Sequence, residues 1–190
     1  PLTDADIKSH HTIKTILAST KLNILSEEGK NLKYNSRKCW SDFWLVDPLD
    51  GTKEFIKRNG EFTVNIALIR KQKPILGVIY VPVSGELYYA TESLGSFKTI
   101  LKNYNSIEDI LSNSDKLPYK YKDKNYTLVV SRSHMSQNTE AFVRKIEKEK
   151  GEIDTMSRGS SLKICMVAEG KADCYPRFAP TMEWDTAAGH

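Results

Sequence analysis

Residues 43–52 read Phe-Trp-Leu-Val-Asp-Pro-Leu-Asp-Gly-Thr. Four apolar residues, Phe43 to Val46, have the character of a buried strand, and the pattern breaks at Asp47. Pro48 has no backbone N–H to give a ladder, so the strand is expected to deliver Asp47 at its end and stop there. Asp50 returns a second carboxylate three residues later, and a turn can aim both at one point. Gly51 allows close backbone approach, and Gly51-Thr52 can open a helix whose amides face an anion. Paired carboxylates beside an anion pocket suit a hard divalent cation, since Mg²⁺ takes a few protein carboxylates plus waters and phosphate oxygens. The plain alternative is an Asp-Pro/Asp-Gly turn that holds no ligand.

Working outward, Thr3 to about Ser19 predicts a helix. Thr3 caps it with Asp6 three residues on, and Ile13, Ile16 and Leu17 supply an apolar stripe. A short strand at Asn23 to Leu25 leads into the acidic pair Glu27 and Glu28. Beyond the central motif, Phe62 to Ile69, Ile75 to Val81 and Leu87 to Thr91 predict an antiparallel meander. The polar stretch 102–125 separates two predicted lobes, 1–115 and 116–190. In the second lobe the pattern alternates. A strand at Tyr126 to Val130 precedes a helix at Gln137 to Lys150, and a strand at Glu152 to Met156 precedes a helix at Ser160 to Glu169. A strand at Ala172 to Tyr175 follows, and Trp184 to His190 reads as the start of a helix.

Composition narrows the class. The chain has 190 residues, 39% hydrophobic and 27% charged, which excludes a disordered polymer and leaves room to bury roughly 70% of the unfolded surface. No apolar run approaches the ~20 residues of a membrane span. Three cysteines, Cys39, Cys165 and Cys174, lack paired spacing, against both a disulfide framework and a structural zinc site. With no signal-like opening segment, the expected compartment is the cytoplasm. The net charge of +4 comes from scattered lysines, which fit a solvated surface or attraction of a small anion, with nucleic acid the weaker option.

WLVDPLDGTKEF (44–55) taken with EWDTAAGH (183–190) resembles the two signature motifs of the inositol monophosphatase superfamily of metal-dependent phosphatases. LDGTKEF followed by IKRNGEFTVNIALI resembles its 3'(2'),5'-bisphosphate nucleotidase branch, the bacterial CysQ type. The resemblance runs from Pro1 to His190. It implies a layered αβαβα sugar-phosphatase fold, α+β in the first lobe and α/β in the second, with an initial helix before Pro1 and closing strands and a helix after His190 absent from this chain. It also implies two or three Mg²⁺ ions. Glu27 would ligate the first, with Glu28 an outer neighbour, Asp47 would bridge, and the Leu49 carbonyl would complete that site. Asp50 and Asp185 would hold the second. Gly51 and Thr52 would form the phosphate-binding turn, and Asp6 would pair with Thr52 to orient the attacking water. Besides Glu27, Leu49, Asp50, Gly51, Thr52 and Asp185, the substrate pocket would include His134, Ser160, Ser161, Lys163 and Arg177.

Each residue has a plainer role available. Asp6 can complete its own helix's capping box, Asp185 can cap the last helix, Glu27 and Glu28 can be solvated loop charges, His134 can be structural, and Lys163 can lie on a helix surface. Arg177 follows Pro176, where a fixed backbone suits bidentate phosphate contact. The cysteines read as core or incidental. The resemblance implies Mg²⁺-dependent hydrolysis of adenosine 3',5'-bisphosphate to AMP and phosphate, with 3'-phosphoadenylyl sulfate as a second substrate, serving sulfur assimilation. Lithium sensitivity and a peripheral place on the cytoplasmic face of the inner membrane are further family expectations. Inositol or sugar monophosphatase activity is the alternative within the class, and an anion- or nucleic-acid-binding module is the non-enzymatic one. Lys53-Glu54-Phe55 and GSSLK weigh against the former, and five clustered acids, which repel phosphate without a metal, weigh against the latter.

Overall fold

The computed structural model describes residues 1–30, 32–101, 106–121, 124–131 and 136–190. Helix α1 (Asp4–Leu17) is followed by β1 (Asn23–Ser26), α2 (Tyr34–Arg37), β2 (Asp42–Asp50) and α3 (Thr52–Ile56). The meander comprises β3 (Thr63–Arg70), β4 (Lys73–Val81), β5 (Glu86–Thr91) and β6 (Gly95–Ile100). Then come α4 (Ile107–Ser112), β7 (Asp115–Lys116), β8 (Tyr126–Val129), α5 (Gln137–Lys150), β9 (Ile153–Met156), α6 (Leu162–Ala168) and α7 (Glu183–Thr186).

Among the described residues, β1 to β7 form one sheet in sequence order, and β8 pairs with β9 in a second. The first sheet is antiparallel apart from the parallel β1–β2 pair, while β8 and β9 are parallel around the α5 crossover. Strand β2 presents alternate residues to opposite faces. Phe43 and Leu45 pack beneath Trp184 and Ala187 of the α7 region, while the Trp44 indole N–H donates to Thr20 Oγ1 at the end of α1 (3.0 Å). Helices α1 and α7 therefore cover opposite faces. Helix α6 lies between the sheets: Leu162 and Cys165 join Ile79, Val81 and Tyr88 of the large sheet, and Met166 packs with Val129 of β8. With α5 against β9, the order is helix, sheet, helix, sheet, helix.

Close approach of the layers is written into Gly77. A Cβ there would stand 2.3 Å from the Ala188 carbonyl oxygen, so only glycine admits the chain that follows α7.

Several expectations are corrected. Strand β2 does not stop at Asp47; it continues to Asp50, with Asp47 opposite Asn65 and Asp50 opposite Thr63. Two residues of β2 intervene where β3 has one, so Pro48 and Leu49 form a bulge, a place in a sheet where a missing N–H does no harm. The apolar stripe of α1 is only partly buried. Ile16 is exposed, and the residues turned fully inward are Asp6 and His10. They face a polar seam, where Ser9 Oγ donates to the Pro48 carbonyl (2.8 Å) and His10 Nδ1 lies 2.9 Å from Ser26 Oγ. The stretch 102–125 holds α4 and β7 among its described residues, and β6 was not anticipated, its Gly-Ser-Phe-Lys-Thr-Ile sequence being too polar to stand out. Ala172 to Tyr175 forms a single bridge, Leu128 with Cys174, in place of a strand.

Candidate metal and phosphate site

The β2 bulge decides the site. Asp47 enters it fully buried on a paired strand, and its Oδ1 accepts the Leu49 N–H (3.1 Å), folding the loop back on the carboxylate. Asp50 leaves the bulge, and Gly51, at φ +92°, turns the chain into the short helix α3. A side chain at Gly51 would be strained by that φ and would also come within 3.2 Å of Ser160 Cβ. The α7 region supplies Asp185. One carboxylate oxygen from each of Asp47, Asp50 and Asp185 lies within 4.8 Å of the others.

Glu27 reaches the same place because its N–H continues the β1–β2 ladder onto the Val46 carbonyl (3.1 Å), next to Asp47. Burial pushes the Asp47 carboxyl well above the ordinary range, and the nearby Asp50 and Glu27 push the same way. Glu27 is also raised, by burial first and then by Glu28, Asp185 and Asp50, although its hydrogen bond with Asp47 pulls it back. Burial raises Glu28 too, with Asp6 adding to it. Carboxylates crowded like this favour either a proton or a cation between them. Every donor is a hard oxygen, a set that fits Mg²⁺.

Asp6 performs both roles considered for it. Its Oδ2 accepts the Thr3 N–H (2.8 Å) at the start of α1, while its Oδ1 faces Thr52 Oγ1 at 3.5 Å. Asp185 is likewise double: its Oδ2 accepts the Met182 N–H (3.2 Å) and the Thr181 hydroxyl (2.7 Å) at the start of α7, and Arg177 lies 3.6 Å away.

The start of α6 and the segment after it bring Ser160, Ser161, Lys163 and Arg177 to one cavity together with Asp50, Asp185, Tyr175 and Thr186. Lys163 is buried rather than spread over a helix surface, and its ammonium donates to the Ser160 (2.7 Å) and Arg158 (3.2 Å) carbonyls. Arg177 donates to Tyr175 Oη (2.8 Å). His134 lies outside the described residues. Sequence reasoning missed Thr63 and Asn65. Both are fully buried and hydrogen-bonded into the Asp50–Ser160–Ser161 cluster. Their signal was there to find, since in TVNIALI every second residue, Thr63, Asn65, Ala67 and Ile69, faces inward.

The comparisons with known proteins decide the family. The family model described as "Inositol monophosphatase family" matches residues 1–190. The chain belongs to the inositol monophosphatase family. Within that family it is 46% identical, over 192 residues, to the 3'(2'),5'-bisphosphate nucleotidase CysQ of Salmonella typhimurium, a match covering all of this chain and 71% of that protein. The corresponding protein of Buchnera aphidicola is 44% identical and is covered to 66% of its length. Among solved structures, CysQ from Bacteroides thetaiotaomicron superposes with a TM-score of 0.91 at 51% identity, over 97% of this chain and 70% of that one. The suhB protein of Bartonella henselae, at 24% identity and a TM-score of 0.74, shares the fold (99% of this chain, 69% of that one). The expectation of a phosphatase with a layered fold is thus borne out. No helix of the described residues is long and apolar enough to cross a membrane.

Proposed function

We propose that this protein hydrolyses the 3'-phosphate of adenosine 3',5'-bisphosphate, giving AMP and phosphate, and that 3'-phosphoadenylyl sulfate is a second substrate. The observation that carries this reading is the meeting of Asp47, Asp50 and Asp185 beside Arg177 and Lys163. The acids can engage one phosphate through a cation, and the two basic groups suit the second phosphate, which an inositol monophosphate lacks. The 46% identity to nucleotidases of that name supports the same choice.

In this reading Glu27, Asp47, the Leu49 carbonyl, Asp50 and Asp185 hold Mg²⁺. When bound, Mg²⁺ neutralises the carboxylates and stabilises charge on the attacking and leaving oxygens. Asp6, through Thr52, accepts a proton from the attacking water as its oxygen bonds to phosphorus and the bond to the ribose 3'-oxygen breaks. The leaving oxygen departs as the 3'-hydroxyl, taking a proton from solvent. The Gly51-Thr52 turn presents backbone N–H groups to the transferred phosphate, and Ser160, Ser161, Lys163 and Arg177 hold the nucleotide end. His134 and the sulfur-assimilation setting, with its cytoplasmic location and any peripheral membrane association, are carried over from the family resemblance. So are the division into lobes 1–115 and 116–190 and an ion count of two or three.

The test is phosphate release from adenosine 3',5'-bisphosphate, 3'-phosphoadenylyl sulfate and inositol 1-phosphate, with Mg²⁺ and with a chelator. Release from both nucleotides, dependent on Mg²⁺ and at least tenfold above the inositol ester in kcat/KM, is expected. Preference for the inositol ester would replace this reading with a monophosphatase.

A further inference from the structure

Asp50 is held by an unusual concentration of donors. Its Oδ2 accepts the hydroxyls of Ser160 (2.6 Å) and Ser161 (2.7 Å), with the Asn65 amide at 3.4 Å. The donors from Ser160, Ser161 and Asn65 all converge on this one oxygen, which leaves Oδ1 for the pocket.

Direction within this cluster is set from below. Each hydroxyl carries a single proton and accepts at its lone pairs. The Thr63 hydroxyl faces both Asn65 Oδ1 (2.9 Å) and Ser160 Oγ (2.7 Å), while the amide's other end faces the Asp50 carboxylate, which can only accept and so marks that end as the nitrogen. Asn65 Nδ2 then donates to Ser161 Oγ (2.8 Å). With that lone pair filled, Ser161 turns its proton to Asp50 rather than to its other neighbour, the Asp185 carbonyl at 3.1 Å. Thr63 and Asn65 come from β3 and Ser160 and Ser161 from the segment before α6, so the relay fastens Asp50 to both parts of the fold. Thr63 and Asn65 are 0% and 1% exposed, too deep to touch a substrate.

We propose that Asn65 is a positioning residue for the cation site: its amide aims the Ser161 hydroxyl at Asp50 Oδ2 and so presents Asp50 Oδ1 to the metal. The inference rests on the metal-site reading given above. Partners that orient metal ligands typically matter by about 10- to 100-fold in metal affinity. An apolar side chain of the same size, Asn65→Leu, frees Ser161 to turn to the Asp185 carbonyl and leaves Asp50 Oδ2 with the Ser160 hydroxyl.

The experiment titrates Mn²⁺ into the complete wild-type protein and the variants, following free Mn²⁺ by electron paramagnetic resonance in the absence of substrate. Circular dichroism melting and nucleotide KM at saturating Mg²⁺ accompany it. Asn65→Leu should weaken the affected Mn²⁺ site by about 10- to 100-fold, well beyond any rise in nucleotide KM at saturating Mg²⁺. Asn65→Ser, which keeps one hydroxyl donor, should fall between the variant and wild type, and it carries the test alone if Asn65→Leu does not fold. Wild-type Mn²⁺ affinity in a folded Asn65 variant would overturn the positioning role and leave the metal site standing. Absence of Mn²⁺ binding by the wild type would overturn both.

Discussion

At the scale of single residues, Asp6 and Asp185 each carry two attachments. Asp6 ties off α1 and faces Thr52, and Asp185 ties off α7 and meets Arg177, so building the helix ends also fixes the chemistry. Asp47 is buried among the other acids, bonded to the Leu49 N–H and to Glu27, and its replacement should be the most damaging. Asp47→Asn is expected to lower kcat by several orders of magnitude at saturating Mg²⁺, since metal assistance supplies several kcal/mol of transition-state stabilisation. Retention of a tenth of the wild-type rate would refute the proposal that it holds metal. Thr52→Ala should reduce kcat by roughly 10²-fold or more with Mg²⁺ affinity little changed by calorimetry, because in the proposed reading its hydroxyl acts on water and not on metal. For Arg177, contacts to phosphate of the charge-assisted kind contribute about 1.5–3 kcal/mol, or roughly 10- to 150-fold in binding. Arg177→Ala and Arg177→Met should both depress kcat/KM for the bisphosphate far more than for a small monophosphate ester. Equal losses on the two would mean that Arg177 serves only to support Asp185, 3.6 Å away.

At the scale of elements, the β2 bulge and the Gly51 turn carry the arrangement. The proline and the Asp-Pro-Leu-Asp-Gly spacing were legible, and so was the meander, because alternation and turn residues are local signals. That β2 runs on through Pro48 was not legible, since it depends on β3 lying alongside with one residue fewer. The inward face of α1 was misjudged for a related reason. Ile16 is the more apolar residue, but the seam it would have to cover is built from Pro48 and Ser26 and suits Asp6, Ser9 and His10. Gly51→Ala tests the turn. A left-handed φ costs a non-glycine residue about 1–2 kcal/mol, or a Tm roughly 2–8 °C lower for a domain of this size. Because the new Cβ also presses on Ser160, the substitution should cut kcat by at least about tenfold, in the range typical of misplaced catalytic geometry. A folded variant with unchanged turnover would remove the turn from the site.

Across the whole molecule, the end of α6 is fastened to the large sheet, away from the site, by a buried ionic cluster. Glu169, 2% exposed at the end of α6, accepts from Tyr88 and from Lys98 (2.6 Å) and pairs with Lys171, while Lys98 also meets Glu86 (2.6 Å). Burial alone would raise the Glu169 pKa, but bonds from Lys171, Lys98 and Tyr88 hold it below its usual value of 4.5. Burial would lower Lys98, yet its bonds to Glu169 and Glu86 hold it above 10.5. The carboxylate's contribution is therefore present above about pH 4.5 and lost as the pH falls further. The lysine's is present below about pH 10.5 and lost as the pH climbs through its raised value. Breaking such a buried pair typically costs about 3–5 kcal/mol, so Glu169→Gln should lower Tm by roughly 6–20 °C at pH 7. It should also flatten the loss of Tm below pH 4.5, and a melting curve as steep in acid as that of wild type would count against this assignment. By itself the sequence determined the longer helices α1, α5 and α6 and most strands, the two acidic motifs and the family they resemble, because periodicity, caps and motif spacing are properties of neighbouring residues. Only the tertiary structure decided that Asp47, Asp50 and Asp185 meet, that Lys163 is buried, and that Thr63 and Asn65 stand behind Asp50. Asp185 and Asp50 stand more than a hundred positions apart and Asn65 fifteen from Asp50, and such meetings are set by strand register and layer packing, which no local window of sequence contains.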